Sequence, residues 1–268
     1  MVFRAIKGQL QAAGAAFQLL SRVPIPFSLP FTPPVLARSA VYFPAVGALL
    51  GAVLAITGWV LGKGVPALPA AVLLLIVWTV YSGALHLDGL MDTADGVLSH
   101  RPRERMLEIM KDSRVGAMGV TAAALLLLFK FSLLAALLDG GRWAEAWPAV
   151  AAACMWSRLW LVFAMACWPF ARPDEGLAAM FARVKLRHAA AALAVNVLLI
   201  AAVYAASGMP FAVSAASIAV QAAIAAGAGT AACGWLSRKL GGLTGDTYGA
   251  VNELLEALLL FAALWGIK

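Results

Sequence analysis

Charged residues and cysteines are scarce in this chain. Asp, Glu, Lys and Arg make up only 12% of the 268 residues, whereas hydrophobic residues make up 63% and the mean hydropathy is +0.89. A soluble domain has a charged fraction of roughly a quarter, so the composition excludes a water-soluble fold. Cys154, Cys167 and Cys233 lie in apolar segments without Cys-x-x-Cys spacing, and we interpret them as ordinary small apolar residues.

Long apolar runs fill most of the chain. Seven of them have about the 20 residues that a helix needs to cross a bilayer. They are residues 41–61, 66–86, 117–138, 147–168, 189–207, 211–233 and 250–266. The expected fold class is therefore all-α, a single polytopic membrane bundle of about seven transmembrane helices covering residues 1–268.

The N-terminal segment, residues 1–40, differs from these runs. Residues 1–20 place Arg4 and Lys7 among small and apolar residues, and their apolar core is too weak for a cleaved signal peptide. We interpret them as an amphipathic helix at the membrane surface, with a buried extra span as the alternative.

Positive charge is distributed unevenly over the two sides of the predicted bundle. Fifteen Lys and Arg residues lie on one side, in segments 1–40, 87–116, 169–188 and 234–249, and three lie on the other. Because Lys and Arg are enriched in cytoplasmic loops, this bias predicts a bacterial inner-membrane protein with the first set in the cytoplasm. Topology then accounts for the net charge of +7, and no dense basic face indicates nucleic-acid binding.

Three carboxylates follow the second predicted span directly. Residues 86–96 read His-Leu-Asp-Gly-Leu-Met-Asp-Thr-Ala-Asp-Gly, which places Asp88, Asp92 and Asp95 at positions i, i+4 and i+7. On a helix, they fall within a sector of about 60°. Like charges this close repel one another, so the cluster predicts a bound cation, or a cation that carries phosphates. His86 points away from this face, which favours a supporting hydrogen bond over catalysis.

A second polar segment lies on the same predicted side. Residues 241–253 form a glycine-rich turn with Thr244 and Thr247, followed by Asp246 and Glu253 on one helical face. Backbone N–H groups at glycines and at a helix N-terminus bind anions. Alone, this motif is weak and is better explained as a flexible turn whose carboxylate caps the start of a helix. Together with the aspartate cluster, it predicts an active site formed by segments 86–116 and 234–253.

Residues 99–116 alternate charged and apolar residues at helical spacing, and Pro102 suits a first helical turn. This pattern predicts a helix on the cytoplasmic membrane surface. At its end, Arg114 is expected to pair with a phosphate, and Asp112 to join a metal shell or anchor a loop.

Two cations lie inside predicted spans. Lys130 and Arg158 are both far from the span ends, where an unpaired cation costs at least about 2.5–3.5 kcal/mol. They are candidates for contact with substrate, and the alternatives are snorkelling to the membrane surface, which is awkward from the centre of a span, or a structural ion pair with a carboxylate.

Three of these segments closely resemble the cobalamin synthase family (adenosylcobinamide-GDP ribazoletransferase). The similar residues are 86–96, 105–116 and 240–249, with further likeness in 21–26 and 42–47. The resemblance implies a Mg²⁺-dependent membrane enzyme in a late step of cobalamin biosynthesis. In that reaction, a hydroxyl of α-ribazole or its 5′-phosphate attacks the phosphorus on the aminopropanol side of adenosylcobinamide-GDP, and GMP is released. The family motif covers Asp88, Asp92, Asp95, Asp112, Asp246 and Thr247.

The chemistry of such a transfer assigns roles to the candidate residues. A carboxylate-bound Mg²⁺ and an arginine can neutralise a pyrophosphate. The expected metal ligands are Asp88, Asp92, Asp95 and Asp246. One aspartate, Asp95 first, is alternatively the general base. The expected phosphate contacts in catalysis are Arg114 and Arg158, and the other expected substrate contacts are Asp112, Thr244, Thr247 and His86. Expected partners are the two substrates and the lipid bilayer, with a second copy of the chain or other corrinoid-pathway enzymes as further possibilities.

Two other functions fit parts of the sequence. Asp92, Asp95 and Gly96 match the opening Asp-x-x-Asp-Gly of the CDP-alcohol phosphotransferases, but Ser99 and His100 replace the Ala-Arg that follows there. A cation-coupled transporter would place carboxylates near the bilayer midplane, often within internal repeats. These acids lie instead at a predicted membrane boundary, and no repeat is visible.

Overall fold

The computed structural model describes residues 2–26 and 28–265, and residue 266, the end of the seventh predicted span, lies outside them. The described residues form twelve α-helices and no β-strand, so the all-α prediction is confirmed. The helices are α1 Val2–Leu20, α2 Pro33–Ser39, α3 Phe43–Leu61, α4 Ala67–Ser82, α5 Leu85–Val97, α6 Arg103–Ile109, α7 Ala117–Leu138, α8 Trp143–Cys167, α9 Gly176–Ala179, α10 Leu186–Ser207, α11 Phe211–Leu240 and α12 Gly245–Trp265.

Six helical segments of the described chain are long and apolar enough to cross a membrane. They are Pro33–Leu61, Ala117–Gly141, Trp143–Cys167, Leu186–Ser207, Phe211–Leu240 and Gly245–Trp265. Helices α4 and α5 form a seventh candidate, but they are bent by 88° relative to each other. The second predicted span, 66–86, therefore ends earlier than expected, at Ser82.

The ends of α3 show that α4 crosses the bundle and that α5 does not. Phe43, at the start of α3, lines the same cavity as Asp88 of α5, so both lie at one end of the bundle. Near the opposite end of α3, the carbonyl of Ala55 accepts a hydrogen bond from Trp143 at the start of α8. Helix α4 has to return from that end, and its 16 residues extend about 24 Å. Helix α5 then lies across the first end, outside the spans.

The turn between α4 and α5 requires two residues with left-handed backbone. Gly83 has φ 60° and Ala84 has φ 58°. Glycine adopts this conformation without steric cost, whereas alanine does so rarely. The sharp change of direction is therefore built into the backbone, and it turns the aspartate-bearing helix away from the axis of α4.

Helix α8 is the central span and packs against α3, α10, α11 and α12. The approach of α3 is close because a Cβ on Gly51 would lie only 2.7 Å from the Cα of Ala151. Small residues at such contacts let helix backbones touch within a membrane. This packing sets the relative positions of α3, α8 and α12, whose ends surround one cavity.

Two predicted segments have different bounds in the structure. The helix expected over residues 99–116 is confirmed only for Arg103–Ile109, since residues 110–116 turn towards α7. The loop expected over 234–249 is reduced to four residues because α11 continues to Leu240 and α12 begins at Gly245. Helix α1 forms as expected, with Ala12 and Ala16 buried and Leu10 exposed.

Candidate active site

The candidate site lies where α5 crosses the start of α12. Two glycines make the crossing close: a Cβ on Gly89 would lie 2.6 Å from the carbonyl oxygen of Asp246, and one on Gly249 would lie 2.9 Å from that of His86. Because backbone cannot yield as a flexible side chain does, only glycine fits at these contacts. The crossing brings Asp88 of α5 and Asp246 of α12 to the same cavity.

This cavity has a volume of about 230 Å³ and opens at the end of the bundle. Its apolar lining includes Phe43, Leu161 and Phe181. Its polar lining includes His86, Asp88, Arg172, Glu175, Thr244 and Asp246. A largely apolar pocket with a few convergent polar groups is the usual form of a small-molecule site.

Carboxylates crowd together beside the cavity. Burial and the negative charges of Asp88, Asp246 and Asp95 raise the pKa of Asp92 to about 6. Thr244 donates a hydrogen bond to Oδ2 of Asp246 at 3.3 Å. Repulsion of this kind is relieved when a divalent cation binds, and Mg²⁺ prefers carboxylate oxygens.

Whether these aspartates can bind Mg²⁺ depends on how many protein ligands the ion needs. Among residues 2–26 and 28–265, no three His, Cys, Asp or Glu side chains are arranged to hold a metal ion on their own. The structure thus does not assemble the shell of four aspartates that the sequence predicts. Mg²⁺ usually keeps several waters and binds one or two carboxylates together with substrate phosphates. Asp88 and Asp246, which line one cavity, fit that mode.

The carboxylate of Asp95 accepts hydrogen bonds from backbone N–H groups at the start of α7. Its Oδ2 accepts a hydrogen bond from the backbone N–H of Gly116 at 2.7 Å, and its Oδ1 accepts one from Gly119 at 2.8 Å. The first N–H groups of a helix lack partners within the helix, and the positive end of the helix dipole favours a carboxylate there. The observed contacts make Asp95 an anchor of α7, although the sequence places it on the same face as Asp88.

Thr244 and Thr247 hold the start of α12 together. The backbone N–H of Thr244 donates to Oγ1 of Thr247 at 2.8 Å, and the backbone N–H of Thr247 donates to Oγ1 of Thr244 at 3.2 Å. This reciprocal pattern resembles a capping box. Thr247 is fully buried, so its hydroxyl serves the helix start, whereas Thr244 also lines the cavity.

Asp112 and Arg114 pair with each other on the surface. Arg114 donates to Oδ1 of Asp112 at 3.0 Å from Nε and to Oδ2 at 2.6 Å from Nη2. These hydrogen bonds lower the pKa of Asp112 to about 2. The Arg114 side chain is 87% exposed, and neither residue lines the cavity. The structure does not bring this pair to Asp88 and Asp246.

Both cations within the spans are paired with carboxylates of α12. The Nζ of Lys130 lies 2.6 Å from an oxygen of Glu253 and 2.6 Å from an oxygen of Glu256. The Nη1 of Arg158 lies 2.7 Å from the other oxygen of Glu256. Two positive and two negative charges thus balance inside the bundle. The structure supports the alternative of a structural ion pair for both cations.

His86 faces α12 and is buried, as its helical position relative to Asp88 predicts. Its Nδ1 lies 3.1 Å from Nδ2 of Asn252, which can only donate, so the ring proton is on Nε2. Burial, with the positive charge of Arg158, lowers the pKa of His86 to about 3, so the imidazole is neutral. The buried Nε2 has no partner within the described part of the chain.

Arg172 is a site residue that the sequence reasoning did not single out. It belongs to the loop between α8 and α9 and lines the cavity with Asp88 and Asp246. Its positive charge favours the ionised form of the Asp246 carboxylate. The basic character of segment 169–188 indicates that it could bind an anion, but nothing in the sequence of that segment distinguishes Arg172 from Arg183 and Arg187.

A family model described as cobalamin-5-phosphate synthase matches residues 12–264. The chain belongs to this family. It is therefore a membrane-embedded transferase, and the matched region includes both α5 and the start of α12.

Individual synthase relatives agree with the family assignment. A protein of Syntrophobacter fumaroxidans named adenosylcobinamide-GDP ribazoletransferase is 39% identical over 256 residues, which cover 93% of this chain and 96% of the relative. Proteins of the same name from Roseiflexus sp. and Klebsiella pneumoniae are 36% and 37% identical, and the chain covers 89% and 98% of their lengths. No solved structure matches the chain.

Apart from Asp112, which pairs with Arg114 on the surface, the motif residues of this synthase family member divide into two groups. Asp88 and Asp246 line the cavity, with Asp92 one turn further along α5. Asp95 and Thr247 instead hold the starts of α7 and α12. Through these contacts, Asp95 and Thr247 help to position the helices that carry Asp88, Asp92 and Asp246.

Proposed function

We propose that this protein transfers the adenosylcobinamide phosphate group from adenosylcobinamide-GDP to α-ribazole, or to its 5′-phosphate, with release of GMP and with Mg²⁺ as cofactor. The names of the relatives support the substrates. The observation that carries the proposal is the meeting of Asp88, Asp246 and Arg172 in one cavity, since a pyrophosphate needs both a cation site and a cationic side chain.

The transfer breaks one bond and forms one bond at phosphorus. A hydroxyl oxygen of the acceptor bonds to the phosphorus on the aminopropanol side, and the bond from that phosphorus to the bridging oxygen breaks, so GMP leaves with that oxygen. The acceptor hydroxyl loses its proton. Asp92, one turn from Asp88 on α5, accepts this proton, because a carboxylate beside the cation site can act as the general base.

Asp88 and Asp246 hold the cation in this proposal. When bound there, Mg²⁺ supplies positive charge that neutralises the pyrophosphate and stabilises the departing GMP. Thr244 orients Asp246 through its hydrogen bond, and the apolar lining, including Leu161 and Phe181, limits the access of water. Asp95, Arg114 and Arg158, for which the sequence predicted catalytic roles, are assigned structural roles instead because each has other partners.

The site faces the cytoplasm of a bacterial inner membrane in this proposal. The segments on the side of the cavity hold fifteen of the Lys and Arg residues, against three on the opposite side. Cytoplasmic loops carry such an excess. Nucleotide-activated substrates and Mg²⁺ are available on that side.

Release of GMP tests the function directly. Purified protein in detergent is incubated with adenosylcobinamide-GDP and α-ribazole, with and without Mg²⁺. We expect GMP to appear only when acceptor and Mg²⁺ are both present, and the parallel reaction with α-ribazole 5′-phosphate identifies the preferred acceptor. Release of CMP from a CDP-alcohol, or cation uptake by vesicles without any GMP release, would contradict the proposal.

A further inference from the structure

The loop that carries Arg172 is fixed to the start of α12. The backbone N–H of Ala171 donates to the carbonyl of Leu243 at 2.9 Å, and the N–H of Leu243 donates to the carbonyl of Pro169 at 2.8 Å. These two bonds form a short parallel bridge on both sides of Phe170. The backbone next to Arg172 is thereby tied to the residue that precedes Thr244, so its position relative to Asp246 is determined.

The guanidinium of Arg172 makes one hydrogen bond within the described residues. Its Nη2 donates to the carbonyl of Leu107 in α6, and its buried Nε has no partner within the described residues. A guanidinium has five N–H donors in a planar fork and cannot accept hydrogen bonds. Nη1 has no hydrogen-bond partner in the part of the chain that the structure describes, so its two N–H groups are the donors that an acceptor in the cavity can use.

No other cation of the described chain lines this cavity. Arg114 is occupied by Asp112 on the surface, and Arg158 is buried against Glu256. Lys111 pairs with Glu175, which lines the cavity. A polyanion that enters the cavity thus meets Arg172 as its cationic partner.

We propose that Arg172 binds the pyrophosphate of a nucleotide-activated substrate in the cavity that it lines with Asp88 and Asp246. The inference rests on the proposed function for the identity of that substrate, while the ligand class, an organic pyrophosphate, follows from the site. A guanidinium matches two phosphate oxygens at once, which an ammonium group cannot do. Together, Arg172 and the cation site at Asp88 and Asp246 supply the positive charge that the pyrophosphate needs.

Equilibrium binding of GDP with Mg²⁺ to the full-length protein in detergent tests this inference. Arg172→Gln removes the charge but keeps a polar amide, and Arg172→Lys keeps the charge but removes the fork. Arg183→Gln is the matched control, because Arg183 is exposed in the same segment. We expect Arg172→Gln to weaken GDP binding about tenfold to a hundredfold, Arg172→Lys to weaken it less, and Arg183→Gln to leave it unchanged.

Steady-state kinetics separate a binding role from a structural one. Arg172→Gln should raise the KM for adenosylcobinamide-GDP while the KM for α-ribazole stays unchanged, whereas a distorted fold would change both. Wild-type affinity for GDP in Arg172→Gln, or no binding of GDP by the wild-type protein, would overturn the inference. Arg172-dependent binding of GDP by a protein that releases no GMP would instead contradict the proposed function alone.

Discussion

Arg158 and Glu256 form an ion pair in which neither side chain is exposed, with 2.7 Å between Nη1 and Oε1. The second oxygen of Glu256 binds Lys130, so one carboxylate serves two cations. In a low-dielectric interior, a charge that loses its partner is strongly unfavourable. Glu256 is thus the residue on which α7, α8 and α12 jointly depend.

Replacement of Glu256 by Gln should destabilise the bundle. The neutral amide leaves Arg158 and Lys130 with only Glu253 as a counter-charge, and removal of one member of a buried pair costs about 3–5 kcal/mol. Thermal unfolding in detergent measures the effect. Glu145→Gln, at an exposed position in the first turn of α8, is the control and should lower the unfolding temperature far less, because it loses only a favourable helix-dipole interaction of about 0.3–1 kcal/mol. Equal unfolding temperatures for the two variants would show that the ion pair contributes little.

The sequence predicted the helices of this fold well because each span is a local property of about 20 residues. It also placed Asp88 and Asp92 on one face of a helix, since that relationship depends on helical spacing alone. The partner of Asp95 was not predictable in this way. That partner is the start of α7, more than 20 residues later in the chain, and only the packing of α5 against α7 brings the two together.

Arg158 and Arg172 both show that contacts between distant segments cannot be predicted from the sequence. A cation inside a span is rare, so the sequence drew attention to Arg158, and the structure pairs it with a carboxylate of another span. Arg172 is one of several cations in a basic loop, so the sequence did not distinguish it. The short bridge between its loop and Leu243 brings it to the cavity, and such a bridge between distant segments leaves no periodic pattern.

Asp92→Asn should reduce turnover by at least about a hundredfold, because the amide cannot accept the proton of the acceptor hydroxyl. Asp92 is half-buried at the membrane edge, so the fold should be retained, and a monodisperse gel-filtration peak checks this. Glu104→Gln on the exposed face of α6 is the control for loss of a nearby acid. Turnover of Asp92→Asn at the wild-type rate would refute the assigned role.

Asp246→Asn should weaken Mg²⁺ binding more than Asp92→Asn does. Asp246 lines the cavity and supplies one of two proposed protein ligands, whereas Asp92 affects the ion only through its charge. Isothermal titration with Mg²⁺, or with Mn²⁺ as a probe, measures both affinities. A larger loss in Asp92→Asn than in Asp246→Asn would exchange the roles of the two residues.

The Asp95→Asn variant distinguishes two roles of Asp95, as an anchor of α7 or as a metal ligand. The amide retains one acceptor for Gly116 and Gly119 and loses the charge that the helix N-terminus favours, so stability should fall by about 0.5–2 kcal/mol. Affinity for Mg²⁺ should remain close to that of the wild type. A loss of affinity as large as that of Asp246→Asn would place Asp95 in the metal shell, as the sequence predicts.

Gly89→Ala should damage the site without removing any chemical group from it. The added Cβ would lie 2.6 Å from the backbone of Asp246, and backbone on both sides leaves no flexible group that can move aside. Helix α5 then has to shift from α12, which separates Asp88 from Asp246. We expect turnover and Mg²⁺ affinity both to fall.

Gly234→Ala is the matched control for this change. Gly234 lies inside α11, and a Cβ there would meet no atom within 4 Å. Alanine is favoured over glycine in a helix by up to about 1 kcal/mol, so this variant should be as stable as the wild type or slightly more stable. If Gly89→Ala matched Gly234→Ala in turnover and in Mg²⁺ affinity, close contact between α5 and α12 would not be needed to bring Asp88 and Asp246 together.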